Sequence, residues 1–297
     1  MSAAAAPAAA CRCPPIGFHC GTGTGAKGTT FPTFLSDLAK SYPGLTAVQI
    51  FASSPKSFAH CAWAPETKAA VKARIAELGI QLFIHAPYII NPCADDTTAI
   101  EALMVNLLTS GAEMGASGVV FHVGKSLKLG EAEGLRRMKG YMDRVLTAVK
   151  GRPAARLLLE TCAGQGTEVA RHLAVFGAVV REAVETHGSA AVGACLDTCH
   201  VWAAGYKMEE LPEIITEQIG WSTLGLIHLN DSEGGCGCEV DRHTFIGAGA
   251  IGAEALGGFV RATATAAPTL PIVLETPATA DGLSRLREMR WLQSLFT

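Results

Sequence analysis

The sequence predicts a single (β/α)8 barrel, or TIM barrel, in the α/β fold class. From Ile16 onward, short apolar runs alternate with segments of helical periodicity. Eight such alternations in about 280 residues match the usual size of this fold. Side chains that suit metal binding follow these runs along nearly the whole chain, and a closed barrel gathers strand ends on one face more naturally than the alternative, an open doubly wound sheet.

The predicted strands are short apolar runs, and the predicted helices show apolar residues at helical spacing. The strands are 16–19, 46–51, 81–85, 118–122, 155–160, 191–197, 225–229 and 271–275. The helices are 31–41, 66–78, 97–114, 131–149, 167–186, 208–219, 253–265 and 281–295. The second helix illustrates the evidence, because Pro65 precedes it and Gly79 follows it, as start and stop signals should.

We expect one domain over residues 16–297, because no linker or repeat interrupts the alternation. Residues 1–15 are rich in Ala and Pro and lack periodicity, so they are predicted to form a disordered tail. Arg12 is the only basic residue of this tail, which gives an organelle-targeting role little support.

The composition, 49% hydrophobic and 17% charged over 297 residues, is typical of a soluble globular protein. No apolar run approaches the roughly 20 residues that span a bilayer, so no membrane association is expected. Ten cysteines without a signal peptide predict reduced thiols inside a cell, in the cytoplasm or the nucleus. The protein is expected to be a monomer. We interpret Cys236-Gly-Cys238 as a plain loop, because no second pair of cysteines completes a zinc site.

The apolar runs end in side chains that bind metals. These terminal residues are His19, His85, His122, Glu160, Asp197, His228 and Glu275. Because parallel strands end on the same face of a barrel, these side chains are predicted to meet on one catalytic floor. A carboxylate such as Glu160 is costly at the end of an apolar strand unless it is paired or bound to a metal.

Two further pairs extend this set. Asp197 and His200 lie three residues apart at a strand–loop junction, and Asp241 and His243 form an Asp-x-His step that puts both side chains on one side of an extended segment. Any one of these residues alone is better explained as structural. Together, their mixed imidazole and carboxylate character favours zinc or a similar ion.

The net charge of −3 argues weakly against a nucleic-acid partner when it is taken alone. Three divalent cations would reverse this argument, because they would turn −3 into +3 and concentrate the positive charge in one cleft.

The chain resembles the endonuclease IV family of apurinic/apyrimidinic (AP) endonucleases from about Ile16 to the C-terminus. The matching segments are HAPYIIN (85–91), ETCAGQG (160–166), GACLDTCHVWAAGY (193–206), HLNDS (228–232), DRHTFIGAGAIG (241–252) and the terminal LET (274–276). The third and fifth segments are highly specific. The resemblance implies a TIM barrel that holds three zinc ions and cuts double-stranded DNA 5′ to an abasic site, leaving a 3′-hydroxyl and a 5′-deoxyribose phosphate. It also implies a possible second activity, the trimming of blocked 3′ ends.

The same resemblance implies the zinc ligands, with Glu160 as the catalytic bridging residue. The first zinc would be bound by His85, His122 and Glu160, the second by Glu160, Asp197, His228 and Glu275, and the third by His200, Asp241 and His243. The chain departs from the family pattern at Thr161, Cys162, Val123 and Ala248, but every implied ligand position carries a suitable residue.

Three loop residues are candidates for contact with the DNA. Lys56 stands where the family usually has Arg, and Phe58 and Tyr88 are aromatic residues in the loops after the second and third strands. The loops above a barrel usually carry function, so we expect these residues to probe the gap at an abasic site. The alternative is a solvated charge for Lys56 and rim packing for the two rings.

Two other functions remain open at this stage. A sugar isomerase or epimerase on a related barrel would use a single metal, bound by Glu160, Asp197, His228 and Glu275. A catalytically weak protein that binds damaged DNA would use zinc structurally. The third predicted cluster argues against the isomerase, because a single-metal site has no use for it.

Overall fold

Eight parallel strands close into a barrel within the residues that the computed structural model describes, 13–23 and 30–297. Residues 1–12 of the predicted tail and residues 24–29 lie outside this description. The barrel strands are β1 (Ile16–His19), β2 (Ala47–Ile50), β3 (Gln81–His85), β4 (Gly118–His122), β5 (Arg156–Glu160), β6 (Val192–Asp197), β7 (Leu224–His228) and β10 (Ile272–Leu274). Around the barrel they run in the order β1-β10-β7-β6-β5-β4-β3-β2. Two short strands of a separate hairpin, β8 (Asp231–Ser232) and β9 (His243–Thr244), lie between β7 and β10 in the chain.

Helices connect the strands of this barrel, and the last helix follows the last strand. They are α1 (Phe31–Ser41), α2 (Pro65–Leu78), α3 (Thr98–Met114), α4 (Glu131–Val149), α5 (Leu173–His187), α6 (Thr198–Ala203), α7 (Leu211–Ile214), α8 (Ala253–Ala266) and α9 (Leu283–Ser294). None of the described helices is both long enough and apolar enough to cross a membrane. The closed parallel barrel and its helices confirm the predicted fold class and the predicted alternation of strands and helices.

The structure differs from the sequence-based elements in four places. Helix α5 begins at Leu173 rather than at residue 167, because the backbone of the preceding segment bonds to the loop after β4, with Val169 N donating to Gly124 O. The predicted helix 208–219 divides into α7 and a π-helical turn, Ile215–Ile219. The hairpin of β8 and β9 was not predicted, and neither was α6.

The barrel interior is filled in layers, so it is a packed core. A middle layer of inward side chains consists of Ala47, Phe83, Val120, Leu158, Cys195, Leu226 and Val273. Below it, Arg156 donates to Val192 O (3.2 Å) and Thr223 O (2.9 Å). A Cβ at Gly193 would lie 2.3 Å from the Arg156 guanidinium, so only glycine leaves room for this side chain. Arg156 thus lies at the N-terminal end of the barrel, and the polar residues that end the strands lie at the C-terminal end, on the other side of the apolar layer.

Gly177 of α5 gives a test of this packing. A Cβ at Gly177 would lie 1.9 Å from the backbone oxygen of Gln218, whereas one at Gly258 of α8 meets nothing within 4 Å. We expect Gly177→Ala to lower the free energy of unfolding by about 1–3 kcal/mol through overpacking. The matched Gly258→Ala should raise it by about 0.5–1 kcal/mol, because alanine is the better helix former. Urea denaturation measures both, and equal effects would contradict the packing of α5 on the π-helical turn.

Candidate metal centre

The structure brings all nine predicted ligand residues together at the C-terminal end of the barrel. His85, His122, Glu160, Asp197 and His228 are the last residues of β3 to β7, and Glu275 follows β10. His200 lies in α6, Asp241 precedes β9 and His243 begins it. These residues form three groups whose potential ligand atoms lie within 4.8 Å of one another, and the groups coincide with the three predicted sets.

The first group is centred on one carboxylate oxygen, Glu160 Oε2. His85 Nε2 lies 3.4 Å from this oxygen and His122 Nε2 lies 3.1 Å from it. Glu160 is fully buried, yet its Oε2 accepts no hydrogen bond from any described residue. Donor atoms around a tetrahedral zinc at about 2.0–2.1 Å stand roughly 3.3–3.4 Å apart. The spacing and the unsatisfied oxygen both fit a cation held between the three side chains.

The second group uses the other oxygen of Glu160. His228 Nδ1 lies 2.7 Å from Glu160 Oε1, 3.2 Å from Glu275 Oε2 and 3.9 Å from Asp197 Oδ2. Glu160 therefore faces the first group with one oxygen and the second group with the other, which is the geometry of a bridging carboxylate.

The third group lies nearer the rim. Asp241 has one oxygen 3.3 Å from His200 Nε2 and the other 3.2 Å from His243 Nε2. His243 Nε2 also lies 3.5 Å from Asp197 Oδ2, so Asp197 is within reach of both the second and the third groups. Although His243 Nε2 is buried, it makes no hydrogen bond within the described chain.

Backbone carbonyls orient two of the imidazoles. His85 Nδ1 lies 2.7 Å from Ala86 O, and His200 Nδ1 lies 2.7 Å from Thr161 O. In each ring the Nδ1–H is donated to the carbonyl, which leaves the Nε2 lone pair facing its group. Hydrogen bonds of this kind are typical of histidines that bind metals.

The groups perturb one another's protonation strongly. Burial raises the pKa of Glu160, but the adjacent His228 and His122 outweigh it and hold that pKa well below its usual value. Burial lowers the pKa of His200, but Asp197 and Asp241 reverse this and hold it well above its usual value. The pKa of His243 is raised to about 8 by Asp197 and Asp241 against the opposing effect of burial. The carboxylates thus attract positive charge, whether from protons or from metal ions.

Sequence reasoning missed two buried polar residues that support the site. Gln49 of β2 contacts His228 and Glu275. Asp231 of β8 is fully buried and accepts hydrogen bonds from the backbone N–H groups of Ser232, Gly247, Gly249, Ile251 and Gly252, at 2.8–3.3 Å. These bonds close the loop that carries Asp241 and His243. Asp231 stands within the HLNDS segment, but its role depends on a loop about 20 residues away and leaves no local signal.

The groups open into a cavity of about 360 Å³. Its lining also includes His19, Phe51, Tyr88, Arg242 and Arg285, of which only His19 and Tyr88 were singled out from the sequence. His19 Nδ1 lies 3.7 Å from Glu275 but joins none of the three groups. Cys236 and Cys238 lie outside helices and strands, between β8 and β9, in agreement with their interpretation as loop residues.

The three candidate DNA-contact residues lie in the loops on this face. Tyr88 is 57% exposed, and its ring centroid lies 5.4 Å from that of His85 and 5.7 Å from that of His122. Phe58 is 51% exposed and Lys56 is exposed, but neither lines the cavity. Tyr88 N donates to Pro55 O (3.1 Å), which ties the two loops together.

Exposed apolar side chains are concentrated on the same face. Among the described residues, the large hydrophobic side chains with high exposure are Phe58, Tyr88, Ile89, Leu127, Leu129, Val240 and Leu283. Six lie in loops that follow barrel strands, and Leu283 is the first residue of α9 directly after such a loop. An apolar surface of this kind around a polar cavity is characteristic of a binding site.

Comparison with known proteins gives consistent matches over most of the chain. A family model described as a xylose isomerase-like TIM barrel matches residues 36–295. A probable endonuclease 4 of Symbiobacterium thermophilum is 37% identical over 242 residues, which cover 79% of this chain and 85% of that protein. The crystal structure of endonuclease IV from Thermus thermophilus has a TM-score of 0.80 at 29% identity, and the match covers 95% of this chain and 100% of that one.

A structure of D-psicose 3-epimerase from Clostridium cellulolyticum H10 also matches, with a TM-score of 0.64 at 14% identity over 95% of this chain and 96% of that one. At that identity the match shows a shared fold and nothing more.

Asp231 allows a test of how the third group is built. We expect Asp231→Asn to lower the free energy of unfolding by about 1.5–3 kcal/mol, because the amide presents one acceptor oxygen where the carboxylate presents two. The variant should also lose metal from the third group, since the loop carrying Asp241 and His243 is released. Urea denaturation and elemental analysis measure the two effects. Asp37→Asn, at an exposed position on α1, is the control and should change neither.

Proposed function

The chain belongs to the endonuclease IV family of AP endonucleases, and from this we propose that it hydrolyses the phosphodiester 5′ to abasic sites in double-stranded DNA, with three zinc ions as cofactors. The products would be a 3′-hydroxyl and a 5′-deoxyribose phosphate, and the same centre would trim blocked 3′ ends. The observation that carries this proposal is the set of three adjoining groups at the barrel mouth. The first and second groups share Glu160, and the second and third approach each other at Asp197.

The residues present fit zinc. Two buried ligand-type atoms, Glu160 Oε2 and His243 Nε2, make no hydrogen bond with the described residues. An unsatisfied buried polar atom is costly unless a cation or another partner completes it. The donors are imidazole nitrogens and carboxylate oxygens, which zinc binds readily, and no cysteine is needed to complete any of the three predicted sets.

Zinc ions in these groups would neutralise the phosphate charge and lower the pKa of bound water, so that hydroxide is available as the nucleophile at neutral pH. The chain's own residues set the geometry. Glu160 fixes the spacing of the first two groups, because its two oxygens serve one group each. Asp241 fixes the third group in the same way, between His200 and His243. The packed layers beneath Glu160 keep bulk water to the open end of the cavity.

Cations at the barrel mouth also explain how a chain of net charge −3 would bind a polyanion. Three divalent ions would turn the net charge to +3 and place the positive charge where the scissile phosphate must lie. The chain would then need no large basic patch for the reaction site itself.

The loops above the centre suit recognition of a missing base. An abasic nucleotide must leave the helical stack before its phosphate can reach the cavity, which costs a few kcal/mol. Tyr88 stands beside the first group with more than half of its side chain exposed, and Phe58 and Lys56 lie in the adjoining loop. We propose that these side chains fill or border the gap, with the rings stacking on bases.

The cellular setting is part of the proposal. Eight of the described cysteines, those from Cys20 to Cys238, are free thiols, which suits a reducing compartment such as the cytoplasm or the nucleus. We propose that the enzyme works there as a monomer, since every ligand of the three groups comes from one chain.

A single-metal sugar isomerase would use only the second group. The convergence of His200, Asp241 and His243 favours the nuclease, because those three side chains have no place in a single-metal reaction.

His243→Ala separates these two functions. Zinc-replete wild-type protein should bind three zinc ions and cut a duplex containing one abasic analogue. His243→Ala should lose one zinc equivalent and cleave the duplex at least roughly 10²-fold more slowly, the scale of losing one electrostatic stabiliser of a transition state. Elemental analysis and gel-resolved cleavage give the two readouts, and chelation should abolish cutting by either protein.

The control variant is His172→Ala, which removes an exposed histidine at the start of α5 and should change neither zinc content nor rate. Saturation of the wild type at one metal per chain, or full cleavage by His243→Ala, would favour the isomerase.

Tyr88→Ala and Lys56→Ala test the recognition of the gap. We expect Tyr88→Ala to weaken binding to the abasic duplex by roughly 10-fold, because stacking on an aromatic ring contributes about 1–3 kcal/mol. Lys56→Ala should act in the same direction, and binding to intact duplex should change less in both variants. Tyr88→Phe keeps the ring and should bind like the wild type. Equal losses on both duplexes would reduce these residues to ordinary backbone contacts.

A further inference from the structure

Gln49 is a neutral amide buried among charged and metal-binding side chains. It is the third residue of β2, fully shielded from solvent, and its side chain points into the barrel above the apolar layer that includes Ala47. A buried amide is costly unless its donors and its acceptor find partners. Gln49 finds them among three residues of the cavity.

The contacts of Gln49 use the whole amide. Its Nε2 donates to Glu275 Oε1 at 2.5 Å and to His19 Nδ1 at 3.0 Å. Its Oε1 accepts from His228 Nε2 at 2.9 Å. Both hydrogens of the amide nitrogen and its oxygen are therefore engaged by named partners.

This orientation of the amide is the one that chemistry allows. An ionised carboxylate can only accept hydrogen bonds, so the NH2 group must face Glu275. The amide oxygen is then left facing His228 Nε2, and that nitrogen must carry a hydrogen. Rotating the amide by a half-turn would set its oxygen against the Glu275 carboxylate and its NH2 against the N–H of His228.

The ring nitrogen that carries the hydrogen in neutral His228 cannot bind a cation, so the tautomer decides which nitrogen is available. With the hydrogen on Nε2, the neutral ring has its lone pair on Nδ1, which lies 2.7 Å from Glu160 Oε1 and 3.2 Å from Glu275 Oε2. His85 and His200 have the opposite arrangement, because backbone carbonyls engage their Nδ1 atoms. A side chain rather than the backbone sets the tautomer of His228.

Gln49 acts on Glu275 at the same time. It occupies Oε1 of that carboxylate, and the remaining oxygen, Oε2, is the one that faces His228 Nδ1. The Gln49 amide on β2 thus orients two of the four side chains in the second group, His228 and Glu275.

We propose that Gln49 is a positioning residue of the second metal site, which selects Nδ1 coordination by His228 and presents Glu275 through a single oxygen. The proposal rests on the proposed function only in taking the second group to bind zinc. Outer hydrogen bonds of this kind typically change metal affinity by 10- to 100-fold when they are removed.

The first test uses the wild-type protein, so it does not depend on the folding of a variant. In zinc-loaded protein with 15N-labelled histidine, two-bond 1H–15N correlations distinguish the metal-bound from the protonated ring nitrogen. We expect the His228 signal to show a protonated Nε2 and a metal-bound Nδ1, with His85 and His200 showing the reverse. A metal-bound Nε2 on His228 would overturn the proposal.

The second test is Gln49→Met, which keeps the length of the side chain and removes its hydrogen bonds. In zinc-buffered titration it should bind one of the three zinc ions about 10- to 100-fold more weakly than the wild type. Gln81→Met, at the opposite end of the barrel, is the control and should bind all three as tightly as the wild type. Unchanged affinity at every site in Gln49→Met would overturn the proposal.

The outcomes distinguish a failure of this proposal from a failure of the proposed function. A wild-type protein that binds three zinc ions and cuts abasic DNA, together with an unchanged Gln49→Met titration, would remove the role of Gln49 and leave the nuclease intact. A wild-type protein that binds no zinc would remove both.

Discussion

The structure depends on one buried carboxylate, that of Glu160. It is fully shielded from solvent, and such a charge is tolerated only where opposite charge surrounds it. His228, His122 and His85 converge on its two oxygens at 2.7–3.4 Å, and His200 lies 3.7 Å away. Four imidazoles from four segments of the chain are therefore held around one side chain. The remaining ligand-type residues are placed relative to this arrangement.

Strand register is what brings these side chains into contact. His122 of β4 pairs with Glu160 of β5, and Asp197 of β6 pairs with His228 of β7. Because side chains alternate between the two faces of a strand, a shift of one residue in either pair would turn one of these side chains out of the barrel. The apolar layer beneath these side chains and the Arg156 side chain at the N-terminal end of the barrel fix that register by close packing. A barrel of the same shape with other residues at its strand ends can serve different chemistry, which is consistent with the fold-level match to a sugar epimerase.

Sequence reasoning found the residues that end strands and missed those that support them, for a physical reason. A histidine or a carboxylate directly after an apolar run stands out, because burying it without a partner is costly. Gln49 lies within an apolar strand and gives no such signal until its neighbours around the barrel are known. Asp231 is similar, since its five backbone partners belong mostly to a loop that returns from about 20 residues further along. Helix α6 escaped prediction because its six residues lie within the segment that carries Asp197 and His200.

Shared side chains also connect the three groups. Glu160 serves the first two groups, and Asp197 lies within reach of the second and the third. A cation bound in one group would therefore change the electrostatic environment of the neighbouring group directly, because both groups contact the same carboxylate. Burial lowers the pKa values of His200 and His243, but Asp197 and Asp241 raise them against it. The pKa of His228 is likewise raised against burial, by Cys195, Glu275 and Glu160. Protons therefore take up part of the positive charge that cations would supply. Metal binding must displace those protons. The hydrogen bonds from Gln49, Ala86 and Thr161 matter at this step, because they specify which nitrogen each of His228, His85 and His200 presents once its second proton has left.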